Sequence, residues 1–274
     1  MPKTGIKETN NIIRAIQQKY SYDFNLYELS AFRLALDRPV LLHHLKYPEL
    51  LISRIVEDNA FFDEFLFEIT DTSVEFFRDP DTWKLLKSDI FPKLYDAFNN
   101  PKIWLPAAYN GQDLYSLLIL LKTGFPGKSF SIEISSISEK ILQKISRGEI
   151  LSKQLESGID NFEKVFPYAN ISSFLKPGGK NLFIDLSPFQ NISYRKQNLT
   201  LEPGPESAAL IFFRNILLKY SLENKFKILD RLTSVLEPGG YLIIGIKENI
   251  DDYILQRQNL LQISKSEKVY IKIK

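Results

Sequence analysis

The 274-residue sequence has no cysteine, one methionine, two tryptophans and two histidines. Without cysteine there is no disulfide, no thiolate metal site and no thiol nucleophile, a usage that fits a reducing compartment, with cytoplasm as the expectation. The histidines are neighbours, His43 and His44, so on a helix they point apart and form no i,i+4 ligand pair; no metal is expected. They also lie far along the chain from every strand-end serine, so no Ser-His-Asp arrangement is readable. A charge excess is missing as well: 35 Lys+Arg stand against 33 Asp+Glu, leaving +2 and no electrostatic footprint for nucleic acid. No apolar run reaches the roughly 18 residues that a membrane helix needs. The start, Met1-Pro2-Lys3-Thr4-Gly5, has no apolar segment behind it, so neither membrane insertion nor export is expected.

What is present is enough for a substantial core, with 44% hydrophobic and 13% aromatic residues. From about Ile6 to Asn99 the pattern is helical, with Ile6, Ile12, Ile13 and Ile16 on one face and Asn25 with Glu28 in capping-box spacing. Pro48 reads as a first-turn proline, and Asp79-Pro80 as an N-cap and first residue of a helix carrying Trp83, Leu85 and Leu86. After Asn99-Asn100-Pro101 short apolar runs alternate with helical stretches, as in an open α/β sheet. The division is therefore a small all-helical domain over residues 1–98 and an α/β domain over 99–274.

Predicted strands are Ile103 to Ala107, Ser129 to Ile134, Ile192 to Tyr194, Ala208 to Phe213, Tyr241 to Gly245 and Val269 to Ile273. Ser136 and Glu139 have capping-box spacing for a helix ending at Gly148, and residues 149–190 resist assignment because Pro, Gly, Phe and Ser interrupt every period. The Lys265 to Lys274 run alternates lysine with apolar residues and reads as an edge strand guarded by its charges. Trp104, Tyr115 and Phe212 read as core.

Ligands in open α/β sheets lie beyond the carboxyl ends of the strands. The loop Ala107-Ala108-Tyr109-Asn110-Gly111-Gln112-Asp113 is the first candidate, with Gly111 giving either a positive-φ turn or close backbone approach. Glu133, read as the acid ending the second strand, is the second, placed to accept hydrogen bonds from a ribose.

Three segments carry a resemblance: Phe76-Phe77-Arg78-Asp79-Pro80, Trp104 through Ser116, and Ile211-Phe212-Phe213-Arg214-Asn215. With Asn198-Leu199, Leu236-Glu237-Pro238-Gly239-Gly240-Tyr241-Leu242 and Gly245-Ile246-Lys247-Glu248, their order and spacing resemble CheR-type chemotaxis methyltransferases from about Asp23 to Tyr270. The resemblance implies a Rossmann-like methyltransferase domain behind a helical domain. It also implies S-adenosylmethionine as methyl donor, S-adenosylhomocysteine as product, and a glutamate carboxylate on a chemoreceptor or similar signalling helix as acceptor. It places Arg78 beside cofactor and incoming carboxylate, Arg214 on that carboxylate, and Asn198 with Leu199 on adenine. Ala107, Gly111, Gln112, Glu133 and Asn215 complete the implied cofactor site.

Departures from the family pattern are equally specific. Gln112 stands where a Glu is usual, Glu133 is matched to an Asp, and Tyr109 and Asn110 replace Ser and Thr. Thr72 and Val74 stand where Asn and Thr are usual, and Lys219 takes the place of a tyrosine, putting a cation among the implied catalytic residues Arg78 and Arg214. Three functions stay open: an active protein-glutamate O-methyltransferase, a degenerate relative with weak or no cofactor binding that regulates or scaffolds, and a methyltransferase with another acceptor.

Overall fold

The computed structural model describes residues 4–70, 75–150, 152–178 and 181–274. Four helices come first: α1 (Ile6–Tyr20), α2 (Leu29–Leu42), α3 (Leu50–Glu57) and α4 (Asn59–Thr70). They bury Ile12, Ile13, Ile16, Phe32, Leu36, Leu51, Ile55, Phe65 and Leu66 in a core of their own. A ring stack between Tyr20 and Phe62, 3.7 Å between centroids, closes one side of it. Two local readings change here. Asn25 lies in a 3-10 turn, Phe24–Leu26, capped by Asp23, and Glu28 itself caps α2 by accepting the Ala31 N–H. Pro48 precedes α3 by two residues, its carbonyl accepting the Leu51 N–H.

The next helical stretch, α5 (Pro80–Leu85), a π-turn over Leu86–Ile90 and α6 (Phe91–Ala97), packs elsewhere. Its Trp83, Leu86, Ile90, Phe91 and Leu94 join the core of the sheet. Pro92 supplies no N–H to the preceding turn, which accounts for the widened π-turn just before it.

A seven-stranded sheet has the order β6-β2-β1-β7-β8-β10-β9. Its members are β1 (Lys102–Leu105), β2 (Ser131–Ser136), β6 (Ile192–Lys196), β7 (Ala208–Phe213), β8 (Leu236–Ile244), β9 (Leu260–Ser264) and β10 (Val269–Lys272). The first five are parallel; β10 runs antiparallel to both β8 and β9. The C-terminal strand is thus interior and β9 is the edge, reversing the expectation for the lysine-rich run. Lys272 Nζ turns onto the carbonyls of Thr233 and Leu236, 2.7 Å from each. All six residues of β7 are buried because both faces are covered, as the unbroken apolar run Ala208–Phe213 demands. Leu210 and Phe212 face the core with α7 (Gln112–Gly124) and α8 (Glu139–Ser146). Ile211 and Phe213 face the other, with α10 (Leu222–Val235). Trp104 is 1% exposed, Tyr115 1% and Phe212 3%, as core residues should be.

The stretch that resisted sequence assignment holds α9 (Ser152–Val165) and a second sheet of order β3-β5-β4, built from Glu149–Ile150, Asn181–Ile184 and Leu175–Gly178. Helix α8 is capped by Ser138, not Ser136, through the Ile141 N–H. Asp63 of α4 reaches the same helix end and accepts from the N–H groups of Glu139 and Lys140, at 3.0 Å each. Those are two of the four donors that a helix start leaves unsatisfied, so the helical unit is pinned directly over the strand ends.

Candidate functional site

The order of the parallel strands reverses between β1 and β7, which places the crevice outside their carboxyl ends. Two loops frame it. The first leaves β1 through Ala107, whose φ of 52° is unusual for a residue with a Cβ, and ends at Gly111, the N-cap of α7. The neighbouring Ala108 N–H donates to the Ser135 carbonyl at 2.8 Å, holding this loop against the end of β2. The second leaves β7 through Arg214 and Asn215, at φ 59°, into a 3-10 turn over Leu217–Lys219. Its shape depends on Glu248, which is buried and accepts the N–H groups of Gly245 (2.5 Å), Asn215 (2.9 Å) and Leu218 (3.0 Å). Burial raises the Glu248 pKa, and these backbone bonds oppose the rise.

Arg214 is wholly buried and heavily committed. Its Nη2 lies 2.6 Å from Asp79 Oδ2 and donates to the Arg78 carbonyl at 2.9 Å, while Nη1 lies 3.1 Å from Asp113 Oδ1. The Trp83 ring packs against the guanidinium at 5.6 Å. Burial raises the Asp113 carboxyl and Arg214 pulls it back down. The arginine therefore ties the Arg78-Asp79 turn to the ends of β7 and α7. Arg78, whose side chain is 32% exposed, brings Nε to 3.9 Å from the same Asp79 carboxylate. Asp79 begins α5 as expected, but its carboxylate serves Arg214 and makes no cap bond.

Lys219 is a different kind of cation. Its Nζ lies 3.7 Å from the ring centroid of Tyr109, and burial lowers its pKa to about 8. Beside it Tyr220 pairs with Tyr27 in a short bridge, and the Glu28 N–H donates to the Lys219 carbonyl at 2.7 Å. Sequence reasoning passed over both tyrosines, because a contact between residues 27 and 220 leaves no local signal.

One sequence expectation fails on geometry, and for Gly111 the positive-φ alternative falls away. Glu133 does not end β2: the strand continues to Ser136, and Glu133 sits at mid-strand opposite Trp104 and Ser193. It pairs with Arg195 Nη2 at 2.9 Å and lines a groove of about 710 Å³ that opens toward the amino ends of the strands, alongside Lys102, Ser131 and Ser207. The residue at the strand end is Ser136, on the face of Ile132 and Ile134, so a hydroxyl stands where a carboxylate was expected. Gly111 has φ −90°, open to any residue; what requires glycine is Tyr115, whose ring would lie 2.2 Å from an added Cβ.

The other expected positions gather at the crevice. Gln112 is buried at the start of α7, its N–H bonded to Asn110 Oδ1. Asn198 and Leu199 follow β6 and are buried; Asn198 Oδ1 accepts from the Thr200 N–H (3.0 Å) and hydroxyl (2.6 Å). Asn215 offers its carbonyl to the Tyr109 hydroxyl at 3.2 Å. Thr72 and Val74 lie outside the described residues.

Tyr109 divides this crevice. It borders a chamber of about 70 Å³ with Gly111, Gln112 and Tyr115, one of about 30 Å³ with Ala107, Asn198 and Lys219, and one of about 30 Å³ with Arg214 and Asn215. Each holds a few waters, whereas ligand pockets run to roughly 300 Å³ or more. The polar atoms nevertheless fit an adenosyl ligand in kind. Ser136 Oγ, Gln197 Oε1 and Arg214 Nε are buried without a hydrogen-bond partner, at the ends of β2, β6 and β7. Buried polar atoms are normally partnered, and three orphans around one crevice suit a polar ligand. In space the three chambers, parted by the Tyr109 ring, are each smaller than such a ligand.

The family described as CheR methyltransferase, SAM binding domain, matches residues 72–268. A chemotaxis protein methyltransferase of Listeria innocua is 25% identical over 240 residues, covering 86% of this chain and 88% of the relative. Another, of Vibrio parahaemolyticus, is 29% identical over 193 residues, 66% of each chain.

Proposed function

The chain belongs to the CheR methyltransferase family, whose cofactor is S-adenosylmethionine, and from that premise we propose that it methylates a glutamate carboxylate on a signalling helix, such as that of a chemoreceptor, in the cytoplasm. The observation that carries this reading is the meeting of the family's motif residues at one crevice. The Arg78-Asp79 turn is bound to Arg214, and Gly111 to Asn215 lie along the same strand ends.

When bound, S-adenosylmethionine would supply an electrophilic methyl group to a carboxylate that is already anionic, with S-adenosylhomocysteine as the other product and no proton to be moved. The protein therefore needs no general base, only alignment and exclusion of water. Asn198 and Leu199 are placed for adenine, the Ser136 hydroxyl for ribose, and the start of α7 at Gly111 and Gln112 for the amino-acid end. Arg214 positions: its two ion pairs and its bond to the Arg78 carbonyl fix the Arg78-Asp79 turn against the ends of β7 and α7. No helix among the described residues is long and apolar enough to cross a membrane.

Two measurements test this. Calorimetric titration with S-adenosylhomocysteine should give saturable binding that Asn198→Ala weakens. Incubation with methyl-labelled S-adenosylmethionine and receptor signalling-domain fragments should give label that mild base releases as methanol, the mark of a carboxyl ester. Binding without base-labile transfer would reject the carboxylate acceptor, and absence of binding would reject the cofactor site.

A further inference from the structure

An acceptor carboxylate arriving at this crevice carries a full negative charge into a largely dry site, so a cation must meet it. Arg214 would be the natural choice, but its Nη1 and Nη2 are already paired with Asp113 and Asp79, so its charge is largely compensated before any acceptor arrives. Lys219 lines the same strand-end crevice, and among the described residues its ammonium has no carboxylate partner. The face of the Tyr109 ring is its one charge-stabilising contact there.

We infer that Lys219 is the counter-ion of the acceptor carboxylate, a positioning role in methyl transfer that rests on the reading above. The backbone holds it ready: its N–H donates to the Ile216 carbonyl and its carbonyl accepts from Glu28. No neighbouring carboxylate satisfies it. Glu248 is turned onto three backbone N–H groups, Asp113 onto Arg214, and Glu28 onto Ser30 and Ala31. Tyr27, Tyr109 and Tyr220 are all raised by burial and stay neutral around it. The depressed lysine pKa is the mark of a buried cation lacking an anion, and an arriving carboxylate restores the missing attraction. The ester product is neutral, so the attraction ends with the transfer and favours release.

The first test needs no turnover. The wild-type protein is trace-acetylated with acetic anhydride near the lysine midpoint of about pH 8, and the Lys219 peptide is quantified by mass spectrometry. The reaction is run with and without S-adenosylhomocysteine, in the presence of N-acetylglutamate α-amide or its glutamine counterpart. A carboxylate bound to Lys219 holds its proton and slows acetylation by about threefold or more, while the glutamine compound, being neutral, does not. Equal rates with both compounds would overturn the inference.

The second test follows kinetics with the receptor fragment. Lys219→Gln should raise KM for the acceptor about tenfold with a smaller change in kcat, and Lys219→Arg should restore it. Wild-type KM should climb as pH passes about 8, where Lys219 loses its proton, and Lys219→Arg should lack that climb. A flat wild-type profile, or no KM change in Lys219→Gln, would assign the lysine a purely structural place. Loss of S-adenosylhomocysteine heat in calorimetry would instead strike the cofactor reading, and the acetylation result stands apart from it.

Discussion

Replacing Lys219 with methionine should make the protein more stable at neutral pH. Burial moves the lysine from 10.5 to about 8, and at about 1.4 kcal/mol per pKa unit the charged form is disfavoured by roughly 3 kcal/mol. Residual solvent contact and the Tyr109 ring return part of this, leaving an expected gain of about 2 kcal/mol for an apolar side chain of similar length. The gain should depend on pH. Between about 8 and 10.5 the unfolded chain binds the lysine proton and the folded chain does not, so wild-type stability rises through that window relative to the variant. The methionine advantage should be full below the window and gone above it. Urea unfolding of both proteins at a series of pH values measures this. The buried tyrosines titrate in both, so the difference between the two curves isolates Lys219. An advantage absent at neutral pH, or constant across the window, would show that the ammonium is solvated and refute the burial argument.

Tyr109→Ser should join the three chambers and tighten S-adenosylhomocysteine binding in calorimetry; unchanged or weaker binding would mean that the ring is no obstacle. Arg214→Met leaves Asp79 and Asp113 with only the more distant Arg78 to offset them and should cost about 3 kcal/mol in thermal or urea unfolding; a cost below about 1 kcal/mol would show the clasp to be idle. Gly111→Ala should destabilise by about 1–3 kcal/mol through the clash with the Tyr115 ring, and the added change Tyr115→Ala should cancel that coupling. Additive losses in the double variant would place the strain elsewhere.

The sequence by itself determined the parts whose signal is local. The apolar run Ala208–Phe213 reads as a strand and is one, covered on both faces, and Ile12, Ile13 and Ile16 mark the buried face of α1, although Ile6, expected on that face, is exposed. The family segments around Arg78, Gly111 and Arg214 keep their order because each is a short loop leaving a helix or strand. Tertiary structure decided whatever needed a distant partner. Where β2 ends depends on β6, since the Ser136 carbonyl accepts from Gln197, and that pairing made Ser136 and not Glu133 the strand-end residue. The small β3-β5-β4 sheet has strands of two to four residues, too short to carry a period, and exists through its pairing. The C-terminal strand is interior because β9 folds back outside it, which alternating lysines could not reveal. Arg214 looks from sequence like a group awaiting a substrate. Asp113 and Asp79, 101 and 135 residues away, turn it into a clasp and leave Lys219 as the cation without an anion. Local periodicity follows from backbone geometry, but the charge balance of a buried site is settled only when remote segments meet.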